Sequence, residues 1–277
     1  MKKTGILFII ACSVIALPAI GQQSPSNPYL KLWYSKPAVS WEEALPLGNG
    51  KTGAMVFGGV AREHFQLNDN TLWSGFPASG NNPNGPTVLP QVRQAVFRGD
   101  YDSAAILWKK MQGPYSARYL PLGDLWLDFT AKDSVTSSYY RDLDLNNATT
   151  TVKYTINGIT YRRETFISYP DKLMVIRISA DKKGAVGFTA SLSSKLRYKV
   201  AATDAGGLVL KGKAPKFVAN RDYEPKQVEY DENPNGEGMN FEVQVKILAQ
   251  GGSVKKAGDR LAVADADAVT IYLTEAT

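Results

Sequence analysis

The chain has 277 residues, 44% of them hydrophobic and 21% charged, which is enough apolar material for a sizeable core. Its one cysteine (Cys12) and one histidine (His64) exclude disulfide frameworks, HExxH helices and poly-histidine or thiolate metal sites, and no cofactor is expected. The formal charge of +6 is spread thinly: Lys and Arg are scattered among Asp and Glu, with Arg162-Arg163 inside an alternating pattern. That leaves no contiguous basic stripe for nucleic acid.

Residues 1–21 read as a secretory leader, with Lys2-Lys3 as a basic start, Ile6–Leu17 as an apolar run and Ala19-Ile20-Gly21 as a small-x-small cleavage site before Gln22. The run is shorter than the ~20 residues a membrane-spanning helix needs, so no transmembrane segment is expected and the protein is placed in the periplasm or outside the cell. Ile9-Ile10-Ala11-Cys12 also loosely fits a lipoprotein box, but Cys12 lies early and the apolar run continues past it. Residues 22–29, rich in Pro, Ser, Asn and Gln, read as a loose arm. Residues 30–277 are expected to form one domain.

A strand is expected over Leu30–Tyr34, then a helical turn at Trp41–Leu45, where the adjacent Glu42 and Glu43 point apart into solvent. Next comes the densest stretch, LPLGNGKTGAMVFGGVAREHFQLNDNTLWSG, from Leu45 to Gly75. Pro46–Gly50 reads as a glycine-rich turn. Thr52–Phe57 and Val60–Leu67 read as strands joined by Gly58-Gly59, which supplies the positive φ of a tight hairpin. Phe65 and Leu67 alternate with His64 and Gln66, the sign of a half-buried strand, and Asn68–Thr71 reads as a polar loop. The result is a hairpin between two polar loops, able to hold both against something else. His64 lacks a G-x-S-x-G partner and reads as a half-exposed strand residue.

Residues 76–87 are a surface loop punctuated by Gly and Pro. A helix is expected from Pro90, ending at Gly99, and a second one capped by Asp100 that stops at Gly113-Pro114. Trp108 and Met111, three apart, are expected to cover a sheet edge or pack on the core. From Tyr119 the pattern is β: Leu120–Phe129, Tyr139–Leu145, and a hairpin of Thr150–Ile156 and Ile159–Ser168 around Asn157-Gly158. Lys172–Ala180 and Ala185–Ser193 are expected to pair around Asp181–Gly184. Further strands fall at Leu196–Ala202, Leu208–Lys211, Phe241–Ala249, Arg260–Val263 and Ala268–Thr274, with a long polar excursion between Lys213 and Met239. Many short strands without a fixed repeat predict a large two-sheet antiparallel β-sandwich, with the short helical pair covering one edge or end.

The Leu45–Gly75 stretch resembles the N-terminal signature of glycoside hydrolase family 95, the α-L-fucosidase family, in which LPLGNG, GAMVFGGV and QLN(D/E)-x-TLWSG occur in this order. The likeness continues through Tyr119–Leu127 (YLPLGDLWL), Tyr139–Leu145 (YYRDLDL) and Tyr161–Phe166 (YRRETF), with Tyr140 standing where a basic residue is usual. The resemblance implies a β-sandwich packed through a linker on an (α/α)6 barrel. It also implies inverting hydrolysis of terminal α-1,2-linked L-fucose on glycans, or of L-galactosides in some relatives. The family's acid and base belong to the barrel. No run of amphipathic helices follows Val269–Thr274, so no catalytic residue is expected in this chain, and alone it should be inactive.

Within the sandwich, Asn49, Asn68, Asp69 and Trp73 are the candidates for an interface with the barrel or for the rim of a sugar pocket. The alternative is a freestanding carbohydrate-binding sandwich using Trp33, Trp41, Trp73 or Trp126, although core packing is the more ordinary role for each. Catalysis by the sandwich itself would draw on Glu63, Asp69, Asp124 and Asp128, and nothing in the sequence brings two of them together. Asp124 and Asp128 share a strand face about 13 Å apart at ~3.3 Å per residue, beyond the ~6.5–9.5 Å of an inverting pair.

Overall fold

A computed structural model describes residues 30–130 and 136–277; the leader read at 1–21 and the arm at 22–29 lie outside them. The described chain opens with β1 (Lys31–Tyr34), a 3-10 turn at Trp41–Glu43, β2 (Leu45–Gly48), β3 (Thr52–Val56) and β4 (Arg62–Asp69). Two helices follow, α1 (Gly85–Phe97) and α2 (Tyr101–Lys109), then β5 (Gly123–Phe129) and β6 (Thr136–Asp144). The next strands are β7 (Thr149–Ile156), β8 (Ile159–Ser168), β9 (Leu173–Ala180) and β10 (Val186–Ser193). Beyond them lie β11 (Arg197–Thr203), β12 (Gly207–Lys213) and the short β13 (Phe217–Val218) and β14 (Val228–Glu229). The chain closes with β15 (Asn240–Gln250), β16 (Ser253–Ala257), β17 (Arg260–Ala266) and β18 (Ala268–Ala276).

These strands make the expected antiparallel sandwich. Its nine-stranded sheet has the order β1-β6-β7-β8-β9-β18-β15-β12-β11, and its seven-stranded sheet the order β16-β17-β10-β5-β4-β3-β2. The main core runs between them, fed by alternate residues of both: Phe65, Leu67, Leu125 and Leu127 from the smaller sheet, and Ile176, Ile178, Val243, Val245 and Ile271 from the larger; a smaller cluster of Val152, Tyr154, Ile156 and Tyr161 lies on β7 and β8. Period-2 patterning is what places every second side chain there. Asn157 and Gly158 both adopt positive φ, as the expected β7–β8 hairpin requires.

Three local expectations are corrected. Of the turn expected at Pro46–Gly50, Pro46–Gly48 belongs instead to strand β2, paired with β3 from Leu45↔Val56 to Gly48↔Gly53, and the chain turns only at residues 49–51. β9 and β10 do not pair: β9 lies between β8 and β18 in the large sheet, and β10 between β17 and β5 in the small one. Residues 181–185 therefore cross between layers, because both sides of β9 are already hydrogen-bonded. α1 starts at Gly85 with a proline in its first turn and keeps Pro90 inside, so the surface loop is shorter than expected. Asp100 does cap α2, accepting a hydrogen bond from the Ser103 N–H. The helices bury Ala95 and Ala104, whereas Trp108 is 53% exposed and does not seal the core.

The Gly58-Gly59 connection shows how the sheets are joined. β4 begins only at Arg62, so the connection is longer than a tight two-residue turn. Gly58 has φ +77°, and a Cβ on Gly59 would lie 1.9 Å from the Arg62 carbonyl oxygen, so neither position takes a side chain without the backbone shifting. Glu63, buried at the start of β4, accepts hydrogen bonds from the Gly58 and His64 N–H groups at 2.7 and 3.0 Å. Its other oxygen lies 2.9 Å from Nη1 of Arg163 on β8, both side chains being 1% exposed. Arg163 Nη2 donates to the Gly59 carbonyl, and the Tyr139 hydroxyl donates to that of Gly58. Burial pushes the Tyr139 hydroxyl well above its ordinary value, so it remains a donor. Removing one member of such a pair strands the other charge in the core. Arg163→Ala should cost about 3–5 kcal/mol in urea unfolding; a loss under ~1 kcal/mol, the range of an exposed pair, would show that the pair does not join the sheets.

Candidate functional site

The far end of the β3–β4 hairpin carries the two polar loops of the signature. In the β2–β3 turn, Asn49 Oδ1 accepts hydrogen bonds from the N–H groups of Lys51 and Thr52 at 3.0 and 2.8 Å. Its Nδ2 donates to the Ser168 carbonyl at the end of β8, 3.1 Å away. Asn70 ties this turn to the second loop: its backbone N–H donates to the Lys51 carbonyl and its side chain to that of Gly50. Trp73 donates its indole N–H to the Asn70 carbonyl and leans on the Tyr119 ring, with centroids 5.2 Å apart. Thus the loops do lie side by side. Asn68 and Asp69, expected in the loop, instead close strand β4 opposite Gly53 and Thr52.

The inward stripe of β4 is Glu63, Phe65, Leu67 and Asp69, so Asp69 points into the core and is fully buried. Asp69 Oδ1 accepts from both the N–H and the hydroxyl of Thr71, at 2.7 and 2.6 Å. Across the sandwich, the inward stripe of β18 is Val269, Ile271, Leu273 and Glu275. Glu275 Oε1 accepts a hydrogen bond from the Thr52 hydroxyl at 2.6 Å. Lys51 Nζ serves both acids, lying 3.4 Å from Asp69 Oδ2 and 3.7 Å from Glu275 Oε1. Burial pushes the Glu275 carboxyl above its ordinary value and the nearby Asp69 charge adds to this, while the Thr52 hydroxyl and Lys51 pull it back. The Thr71 and Thr277 hydroxyls are also within hydrogen-bond distance. The sequence analysis did not single out Glu275, Lys51 or Thr71. The signal was present in Glu275, an acid at an inward position of an otherwise apolar stripe.

This cluster does not work as a hydrolytic pair, because the two acidic side chains are 0% and 2% exposed and leave no room for a sugar ring. It clamps the end of β18 to the signature hairpin. The remaining carboxylates of the pool are held apart by separate partners. Glu63 belongs to Arg163. Asp124 lies 2.6 Å from His64 Nε2, and Asp128 3.2 Å from Arg62 Nε.

The tryptophans also differ from expectation, since none of the four lies in the core. Trp33, Trp41 and Trp73 are exposed on the surface. Trp126 is half-buried on the outer face of the small sheet, with His64 stacked 3.8 Å from it and the Arg62 guanidinium 4.1 Å from its ring centre. Those two contacts occupy the ring and leave it unfit as a sugar platform.

The raised Glu275 carboxyl sets a pH dependence. The folded chain holds this proton more tightly than the unfolded chain does. Its stabilising contribution is therefore complete below the unfolded value of ~4.3 and is lost as pH rises through the folded value. Glu275→Gln removes that loss. The stability of the variant relative to the parent, from urea midpoints, should rise between pH 4 and pH 8; parallel profiles would contradict the assignment.

The chain is 32% identical to alpha-L-fucosidase 2 of Arabidopsis thaliana over 260 residues, 91% of this chain and 30% of that protein. It is 34% identical over 186 residues to the Aspergillus niger protein named "Probable alpha-fucosidase A", covering 65% of this chain and 22% of that protein. Its Aspergillus oryzae namesake is 32% identical over 177 residues, 60% of this chain and 23% of its own length. The chain thus spans less than a third of each of these relatives. The model of the glycosyl hydrolase family 65 N-terminal domain matches residues 32–277, nearly all of the described sandwich. The chain belongs to that family of glycoside hydrolase N-terminal domains.

Proposed function

We propose that this chain is the N-terminal β-sandwich of an exported α-L-fucosidase of the family 95 type, acting on terminal α-1,2-linked L-fucose with inversion. The observation that carries the reading is the 32% identity to an α-L-fucosidase over 91% of the chain, which takes in the whole signature stretch. The acid and base are assigned to sequence beyond this domain, consistent with the engagement of Glu63, Asp69, Asp124 and Asp128 by other partners. The sandwich then acts as a scaffold: the loops at Asn49 and Trp73, with Asn68 at the end of β4 beside them, are the interface or pocket rim offered to the catalytic part, and the buried Asp69 holds them from below. Export follows from the leader pattern of residues 1–21. A family 95 relative acting on L-galactosides is the alternative within this class.

The deciding assay is release of L-fucose from 2′-fucosyllactose by this chain beside the same chain extended by any downstream reading frame. Fucose from the extended form alone, appearing first as the β-anomer in proton NMR, is expected. Turnover by this chain alone would return attention to Glu63, Asp69, Asp124 and Asp128, and hydrolysis by the extended form of an aryl α-L-galactoside but not of 2′-fucosyllactose would favour the alternative.

A further inference from the structure

Directly after Trp73 the chain enters one wall of a cleft of about 910 Å³, lined by residues 74–80, residues 114–117 and parts of the excursion between 216 and 224. The volume lies within the ~300–1,000 Å³ common for ligand sites. Three aromatic side chains line it, one from each segment: Phe76, Tyr115 and Phe217, respectively 52%, 66% and 37% exposed.

Hydrogen bonds between the segments hold the cleft open. Ser74 and Arg118 exchange two, the Ser74 N–H donating to the Arg118 carbonyl at 2.8 Å and the Arg118 N–H to the Ser74 hydroxyl oxygen at 2.9 Å. The Gly75 N–H donates to the Pro215 carbonyl at 2.9 Å, and Arg118 Nε to that of Ala219 at 3.1 Å. Behind the wall, Asn82 Nδ2 donates to the carbonyls of Lys110 and Gln112, each 2.9 Å away. Of the charged residues lining the cleft, Lys216 and Glu224 have opposite signs, and Glu224 Oε1 already accepts from the N–H groups of Asn220 and Arg221.

We propose that this cleft binds a neutral oligosaccharide. The C–H faces of pyranose rings are apolar and pack on aromatic faces, whereas their hydroxyls need neutral donors and acceptors such as the Asn220 amide and the Ser116 hydroxyl that line the same cleft. The residues that line the cleft carry no net charge and so offer a charged ligand no countercharge, although the Arg221 guanidinium lies 5.6 Å from the Tyr115 ring centre at its side. A flat apolar partner would leave those polar groups unpaired. Because the base is cross-linked before any ligand arrives, little ordering is left to oppose binding. The cleft adjoins the Trp73–Tyr119 pair, so a glycan held there extends from the signature loops, and the inference rests on the glycan-directed function proposed above.

The test is titration of the whole chain with 2′-fucosyllactose and with lactose, read by calorimetry and by saturation transfer to the sugar protons. Saturable binding is expected, weakened about tenfold by Phe76→Ala or Tyr115→Ala and unchanged by Trp33→Ala on the exposed edge strand β1. All three side chains are exposed, so the variants should fold as the parent does. Binding lost equally in Trp33→Ala, or untouched in the cleft variants, would overturn the proposal. So would the absence of saccharide binding, with or without uptake of an apolar dye that makes the cleft an apolar docking surface. Fucose release by the extended chain without sugar binding by this chain would remove the cleft inference alone; failure of both would remove the glycan reading with it.

Discussion

Water is excluded between the two sheets, and any charge that the two-residue period delivers there must find a partner inside. Strand β4 meets this condition at both ends. Its inward stripe runs Glu63, Phe65, Leu67, Asp69, with an apolar middle and an acid at each end. Glu63 reaches across to Arg163 on β8, and the other end is tied across the sandwich through Thr52, Lys51 and Glu275 on β18. Apolar packing brings the sheets together, and these two polar crossings fix where one sheet sits on the other.

The two crossings serve different parts of the molecule. The Arg163 crossing holds the Gly58-Gly59 connection through the carbonyls of both glycines, together with Tyr139. Nearby, Arg141 anchors the opening segment through the carbonyls of Lys36 and Glu43, with its guanidinium 4.2 Å from the Tyr34 ring centre. The Asp69–Glu275 crossing lies beneath the loops of the signature. It fixes the last strand directly behind Asn49, Asn70 and Trp73, which lets the surface loops stay short and rigid. A scaffold that presents loops to a catalytic partner needs this property, because loop position then follows from the core rather than from loop composition.

Sequence reading succeeded where a local rule was sufficient. The Asn157-Gly158 hairpin, the Asp100 cap and most strands follow from turn chemistry and the two-residue period, each acting over a few residues. It failed where two distant strands compete for one neighbour. β9 and β10 look like a hairpin, yet β18, some ninety residues later, takes the edge that β10 would have used. The tryptophans were misplaced for a related reason: composition makes them core candidates, but the register turns Trp33 and Trp126 to the outer faces.

By itself the sequence determined the fold class, the signature hairpin and the kinship with glycoside hydrolases, because periodicity, turn residues and motif order are written locally. The tertiary structure alone decided which carboxylates are spent and on what. Glu63, Asp69, Asp124 and Asp128 are equivalent letters in the sequence, and their partners Arg163, Lys51, His64 and Arg62 were assigned only when strand register chose who faces whom. It also decided that residues 74–80, 114–117 and 216–224 share one cleft, since each loop carries a single lining aromatic until the sheets bring the three together.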